Sequence, residues 1–267
     1  MDFTKNYVTD VINRIKYEFK LLQKNALWIL YKVIYVAYIA QVPFRNIAYY
    51  RHEQRETLRD IGFENIPEMN EEDKWISETV FHLIHIIGTV VLLVTWFSSF
   101  PHSNKTYGVI LAEKWLDCLC IGHTFRFLTY ISTTLPGPAS HCRPGAIEPT
   151  INKPTSLYDI FTRKSGGDDP NCGDLIFSGH VFQNIILSII VTYSIKKIIV
   201  NKVLHYLVLV SMWYLCVVQL PLIVAARNHY TVDITVSCYL APLVWFFIEN
   251  RKKKEIEITQ DNEEVAL

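Results

Sequence analysis

Two histidines and one aspartate carry the chemistry this sequence offers. The stretch CGDLIFSGH (172–180) ends on His180, and the stretch RNHYTVD (227–233) holds His229 and Asp233. Asp233 follows His229 by four residues, a spacing that stacks two side chains on one face once a helix has begun. A carboxylate beside an imidazole fixes its tautomer and supports its positive charge. An imidazole held that way is a nucleophile. A second imidazole, with a reference pKa near ~6.5, can give and take a proton near neutrality. Ser178 can cap a helix that starts at Gly179, and the free N–H groups of that first turn can hold an anion. Asp174 suits the same helix end as a carboxylate. Arg227 and Arg126 are the cations nearest to hand for a negatively charged group. Taken singly, each has an ordinary meaning: a cap, a loop carboxylate, an arginine snorkelling at an interface. His82, His85, His102, His123 and His205 read as such interfacial residues. Taken together on one side of a membrane, the set reads as a site.

A membrane is what the rest of the chain implies. Of its 267 residues, 50% are hydrophobic, and the mean hydropathy is +0.17. The apolar residues cluster into six runs, at roughly 26–44, 79–100, 107–131, 179–195, 203–225 and 231–248. Each is close to the ~20 residues a spanning helix needs. Lys32 in the first run, and Glu113, Lys114 and Asp117 in the third, must face other helices or a polar cavity. The expected fold is therefore all-α, a polytopic membrane protein of six spans. It divides into an N-terminal tail (1–25), a six-helix catalytic domain (26–250) and a C-terminal tail (251–267). Lys196, Lys197 and Lys202, and then Arg251 to Lys254, place both of those segments, and both termini, in the cytosol. The segment 45–78 runs against that rule, with four Arg and one Lys on the outer side. No signal-peptide pattern opens the chain.

This topology puts His180 at the outer end of the fourth span and His229 in the outer turn between the fifth and sixth. A hairpin of two spans returns the chain to the same side, so the two histidines can share one depth. The long outer loop, 132–178, includes LPGPASHCRPG (135–145), rich in Pro and Gly and so irregular. Cys142 and Cys172 both fall in this loop, where an oxidising compartment would allow them to pair. The formal net charge is zero, which argues against a nucleic-acid partner. No Cys or His cluster has zinc spacing, so no metal and no cofactor is expected.

CGDLIFSGH and HYTVD resemble the two signature motifs of the sphingomyelin synthase family, within the lipid phosphate phosphatase superfamily. RFLTYISTTLPGPASHCRPG (126–145) resembles the segment these enzymes carry at the end of the third span. LRDIGFENIPE (58–68) resembles their first outer-loop motif. The pairing of LPGP..HCR with R.HYTVD is similar to inositol phosphorylceramide synthases of plants and protists. The resemblance implies a transferase without a cofactor. His229 would take a phosphoryl-alcohol group from a glycerophospholipid, with Asp233 orienting it. His180 would protonate the departing diacylglycerol oxygen and then activate the primary hydroxyl of ceramide. Asp174, Ser178, Gly179, Arg126 and Arg227 would serve as substrate-binding residues. The implied partners are membrane lipids: ceramide, the donor and diacylglycerol.

The superfamily's phosphatases carry Lys-x6-Arg-Pro, which clamps a doubly charged phosphate monoester. The one Arg-Pro here is Arg143-Pro144, with Pro136 where that lysine would stand. A phosphodiester needs fewer cations, so a phosphodiester donor is expected. Choline, inositol and ethanolamine remain open as head groups, with inositol favoured by the resemblance. A lipid phosphatase or phospholipase C-type hydrolase is the alternative reading, and it predicts water as acceptor. A non-catalytic lipid scaffold or transporter would tolerate loss of His180, His229 and Asp233. With no KDEL-type ending, the expected compartment is the Golgi or plasma membrane rather than the endoplasmic reticulum, the site facing the lumen or exterior. The oligomeric state is left open.

Overall fold

The computed structural model describes residues 2–97, 107–145, 153–163, 172–199 and 201–265. Among these the chain is helical, with no strand. Helix α1 (Asp2–Ile34) passes through a π-helical turn (Tyr35–Ile39) into α2 (Pro43–Arg51). Pro43 opens α2, where its missing N–H costs nothing. The short α3 (Ile61–Asn65) precedes α4 (Trp75–Phe97) and α5 (Gly108–Ser132). The short α6 (Leu157–Thr162) lies in the long loop, and α7 (Gly179–Ile198), α8 (Lys202–Ala225) and α9 (Thr231–Val265) complete the bundle.

Five stretches are long and apolar enough to cross a membrane: Tyr7–Arg51, Glu71–Phe97, Gly179–Ile198, Lys202–Ala225 and Thr231–Lys252. The third expected run is also a helix, α5, but its charges keep it out of that set. Those charges are paired. Lys32 meets Asp117 at 2.6 Å and Glu113 at 3.2 Å, Lys252 meets Asp117 at 3.0 Å, and Lys114 meets Glu249 at 2.6 Å. One polar cluster thus ties α1, α5 and α9 together at the end of α9 far from His229. Pairing of this kind is how an ionisable group is tolerated among apolar helices.

Residues expected as an N-terminal tail belong to α1 and dock on the bundle. Glu18 is fully buried and accepts hydrogen bonds from the N–H groups of Gly108 and Val109, at 2.7 and 3.0 Å. A carboxylate there satisfies free donors at the start of α5 and suits its dipole. At the other terminus, α9 continues as helix to Val265, through residues expected as a solvated tail.

The hub is α7, which packs on α4, α5, α8 and α9. Phe182, Ile186 and Ile190 lie at its buried centre, with Phe177, Met212, Ile223 and Trp245 around them. Gly122 of α5 allows a close approach, because a Cβ there would collide with the Phe182 ring.

The described residues of the long loop after α5 pack together with α2. A disulfide joins Cys142 to Cys172. Asn46 of α2 donates to the carbonyls of Ile160 at 3.0 Å and Arg163 at 2.8 Å, next to α6. His52 Nε2 accepts the N–H of Gly137 at 3.1 Å. Burial, with Lys153 and His141 nearby, pushes the His52 imidazole down to about 4, which keeps it a neutral acceptor. The disulfide closes a loop whose ends are 30 residues apart. Cys142→Ser should therefore cost about 2–4 kcal/mol of stability, read as a lower melting temperature of the purified protein. An unchanged melting temperature would mean that the loop's packing suffices without it.

Candidate active site

Helix α7 begins where the sequence places a cap. The Ser178 hydroxyl accepts from Val181 N–H, and Ser178 is fully buried, so its side chain serves the helix. The segment before it is held by α5. Arg126 Nε donates to Phe177 O at 2.8 Å, and its Nη2 donates to Asp174 O at 2.6 Å. Thr129 Oγ1 donates to Ile176 O. Gly173 bends the chain with φ of 89°, in the region that favours glycine.

The second motif lies in the turn from α8 to α9. Helix α9 starts at Thr231, so His229 precedes it, yet the i to i+4 contact forms. His229 Nδ1 is 3.0 Å from Asp233 Oδ2. The same oxygen accepts Tyr230 N–H at 3.0 Å, and Oδ1 accepts Ile176 N–H at 3.0 Å. Asp233 is fully buried and is an acceptor on both oxygens. Nδ1 must then carry the proton, which leaves the Nε2 lone pair for chemistry. Asp233 O also accepts Ser178 N–H at 3.1 Å, so one residue holds both motifs.

The expected outer-loop stretch 58–68 braces this turn. Asp60 caps α3 through Gly62 N–H and also accepts Thr231 N–H at 2.9 Å and Thr231 Oγ1 at 2.6 Å. Tyr230 hydroxyl donates to Pro136 O at 2.9 Å and accepts Leu58 N–H at 3.1 Å. Three segments distant in sequence thus converge on HYTVD.

His180 and His229 face one cavity of about 740 Å³, their ring centroids 6.5 Å apart. Its wall also takes Arg45 from α2, Lys74, Glu78 and Phe81 around the start of α4, and Arg126 from α5. Glu78 Oε2 lies 3.3 Å from His180 Nε2, and the Phe81 ring meets the His180 ring edge-on at 4.6 Å. Each histidine therefore has its own carboxylate. His180 is half-buried while His229 is 5% exposed, which suits a proton carrier and a fixed nucleophile respectively. Asp174 bridges Arg45 at 2.9 Å and Arg126 at 3.1 Å. Burial works against its ionisation, but Arg45, Arg126 and then His229 hold its carboxyl well below the usual carboxylate range.

The chain's sequence matches the PAP2 superfamily C-terminal family model over residues 171–251, which covers both histidine motifs. It is 34% identical over 219 residues to a phosphatidylinositol:ceramide inositolphosphotransferase of Oryza sativa subsp. japonica, covering 80% of this chain and 62% of that one. It is 32% identical over 240 residues to phosphatidylinositol:ceramide inositolphosphotransferase 2 of Arabidopsis thaliana, covering 90% of this chain and 74% of the relative. The chain belongs to the sphingolipid synthase family. More distant is phosphatidylcholine:ceramide cholinephosphotransferase 1 of Gallus gallus, 27% identical over 193 residues, 68% of this chain and 43% of the relative.

Against this sphingolipid synthase frame, the residues expected from sequence fall into two groups. His180, His229, Asp174, Gly179 and Arg126 line or adjoin the cavity, and Asp233 stands directly behind His229. Ser178 and Arg227 do not line it. Arg227, expected to balance phosphate charge, is turned away. At φ of 56° it sends its guanidinium over the Phe63 ring at 4.1 Å and donates to Ile66 O at 3.0 Å. Its observed partners are those of a brace on the 58–68 segment. Sequence reasoning missed Glu78 and Arg45, and it took His82 and His123 as interfacial although both line the cavity. The ETVFH run in α4 placed Glu78 and His82 one turn apart, the one signal available. Among the described residues, His141, Cys142 and Cys172 lie close enough to share an ion. The two sulfurs are bonded to each other, which removes them as thiolate ligands.

Proposed function

We propose that this protein transfers a phosphoryl-alcohol head group, phosphoinositol by preference, from a glycerophospholipid to the primary hydroxyl of ceramide. The observation that carries the reading is the pair of carboxylate-held imidazoles, His229 and His180, facing one cavity. The chain spans 62% of the length of the rice relatives it matches, so the whole activity is a reading of this chain's own residues.

The first step has His229 Nε2 attack phosphorus. The bond from phosphorus to the glycerol oxygen breaks, and protonated His180 gives that oxygen its proton, releasing diacylglycerol. His180 is then neutral, with Glu78 supporting its charged form in each cycle. In the second step His180 takes the proton of the ceramide hydroxyl, whose oxygen attacks phosphorus. The phosphorus–nitrogen bond breaks and His229 is restored. Charge on the transferring group faces Arg45, Lys74 and Arg126 and the N–H groups at the start of α7.

Inositol is favoured for two reasons. The inositolphosphotransferases of rice and Arabidopsis match at 31–34% identity, and the cholinephosphotransferases at 27–28%. The cavity wall also carries Gln41, Gln183 and Asn228 beside its histidines, groups that suit a polyol. We place the protein in the membrane by six spans, α5 being the sixth beside the five apolar stretches. Both termini face the cytosol, and the cavity opens on the lumenal or outer side of the Golgi or plasma membrane.

Reconstitution of the full chain with fluorescent ceramide and one donor at a time tests this. Phosphatidylinositol should give inositol phosphorylceramide. Product from phosphatidylcholine alone would overturn the head group. Release of inositol phosphate to water, with no ceramide product, would replace transfer by hydrolysis.

A further inference from the structure

The short helix α6 turns an apolar face outward. Leu157, Tyr158 and Phe161 are 76%, 74% and 52% exposed. Helical spacing puts the three within about 100° of one another around the helix axis. A single exposed apolar residue needs no explanation, but three large ones on one short helix make a contiguous patch, and such patches mark a contact.

The rest of α6 is turned inward. Ile160 is buried, and the Arg163 guanidinium lies over the Tyr49 ring of α2 at 5.0 Å. Lys153 donates to His52 O at 2.6 Å, so both flanking cations are engaged with α2 and its end. Asp159 falls on the side of the helix opposite the apolar face. The backbone ends are satisfied within the protein. Asp159 Oδ2 accepts Thr155 N–H at 2.9 Å and Ser156 N–H at 3.0 Å, and the Ser156 hydroxyl accepts Asp159 N–H in return. At the other end Asn46 donates to Ile160 O and Arg163 O, and the Tyr38 hydroxyl donates to Phe161 O at 2.7 Å. A helix with its ends paired this way can meet a lipid phase without leaving bare donors or acceptors there.

Depth decides the occupant. Tyr38 belongs to the first apolar stretch, Tyr7–Arg51, whose Tyr31, Val33, Ile34 and Tyr38 side chains are exposed. On a spanning helix, exposed apolar side chains face lipid. The bond from Tyr38 to Phe161 sets α6 beside that flank, so its apolar face continues the lipid-facing surface. Leu, Tyr and Phe are side chains that settle where acyl chains meet head groups.

We propose that α6 is an interfacial anchor, with its Leu157, Tyr158 and Phe161 face dipping into the lipid leaflet on the cavity's side of the membrane. Through Asn46 it holds α2, whose Arg45 lines the cavity, at a fixed height against the lipid surface. The inference concerns membrane contact and does not depend on the reaction catalysed.

Leu157→Cys and Tyr158→Cys, each labelled with a nitrobenzoxadiazole fluorophore, test this in the full chain reconstituted into phosphatidylcholine vesicles. Arg59→Cys, at a side chain 89% exposed, is the water-facing reference. The unsubstituted chain, with its four free cysteines, supplies the background. Lipid brominated in the upper half of its acyl chains should quench the labels at 157 and 158 at least about twofold more than the label at 59, and more than lipid brominated near the chain ends does. Leu157→Glu/Phe161→Glu should abolish the quenching at 158. The proposal is overturned if the labels at 157 and 158 are quenched no more than the one at 59, which means water. It is equally overturned if they are blue-shifted yet unquenched, which means that protein, a second copy of this chain included, covers the face. Quenching at 158 that survives the two glutamates would also sink it.

Discussion

His229→Ala should lower head-group transfer by at least about a thousandfold, because it deletes the atom that in the proposed mechanism carries the group between donor and acceptor. The substitution should leave the fold intact, since His229 contributes one contact to Asp233 while Tyr230 and Ile176 N–H groups keep that carboxylate satisfied. Combining it with His180→Ala should cost little more than the single change, since the two act as a unit. The mechanism has a second signature. Phosphatidylinositol labelled in its phosphate, given without ceramide, should label the wild-type chain through an acid-labile phosphorus–nitrogen bond. His229→Ala should take up no label. A wild-type enzyme that makes product and never labels would exclude the phosphohistidine route in favour of direct displacement.

The second large effect is expected at Asp174. Asp174→Asn leaves Arg45 and Arg126 facing each other without their shared counter-charge. Removing one member of a buried ion pair should cost about 3 kcal/mol, the low end of the range because Arg45 is 25% exposed. Transfer should fall by about a hundredfold, because Arg126 holds Phe177 and Asp174 and thereby aims the SGH turn, and ångström-scale misplacement costs that much. The pH dependence has a definite sign. The folded-state pKa of Asp174 is depressed, so its contribution is complete above the unfolded value near ~3.9 and is lost as pH falls through the folded value. The stability gap between wild type and Asp174→Asn should be full at pH 7 and should close only on strong acidification. A gap that closes between pH 7 and 5 would point to a histidine instead.

Both residues were visible in the sequence, but for different reasons. His229 and Asp233 are four apart, and a short-range spacing survives translation into structure even though α9 starts two residues after His229. The pairing of His180 with His229 followed from counting spans, a topological argument that needs no atomic detail. Ser178 also read correctly as a cap, because capping is local. Glu78, Arg45 and the Asp174 bridge were not legible in that way. They come from α4, α2 and a loop, and only packing around α7 brings them to one wall. Arg227 shows the converse case. Nearness in sequence to His229 suggested a shared task, but a left-handed turn at that residue sends its side chain to Phe63 and Ile66. The charged residues of α1 and α5 were known to need partners, and the identity of those partners, Lys252 among them, was a tertiary fact.

The bonds around Asp233 carry an implication for when activity can first appear. The carboxylate that orients His229 also accepts the Ile176 N–H, and the Asp233 carbonyl accepts the Ser178 N–H. The SGH turn is therefore pinned by a residue made more than a helical hairpin later. A growing chain that has released only its first eight helices holds Glu78, Arg126 and His180 but lacks both the attacking nitrogen and the clasp that sets the other motif. Synthesis of the final helix completes the proposed nucleophile, its carboxylate partner and the clasp in one event. Under the proposed mechanism a half-made chain is therefore silent, and the reaction should begin only when α9 has docked.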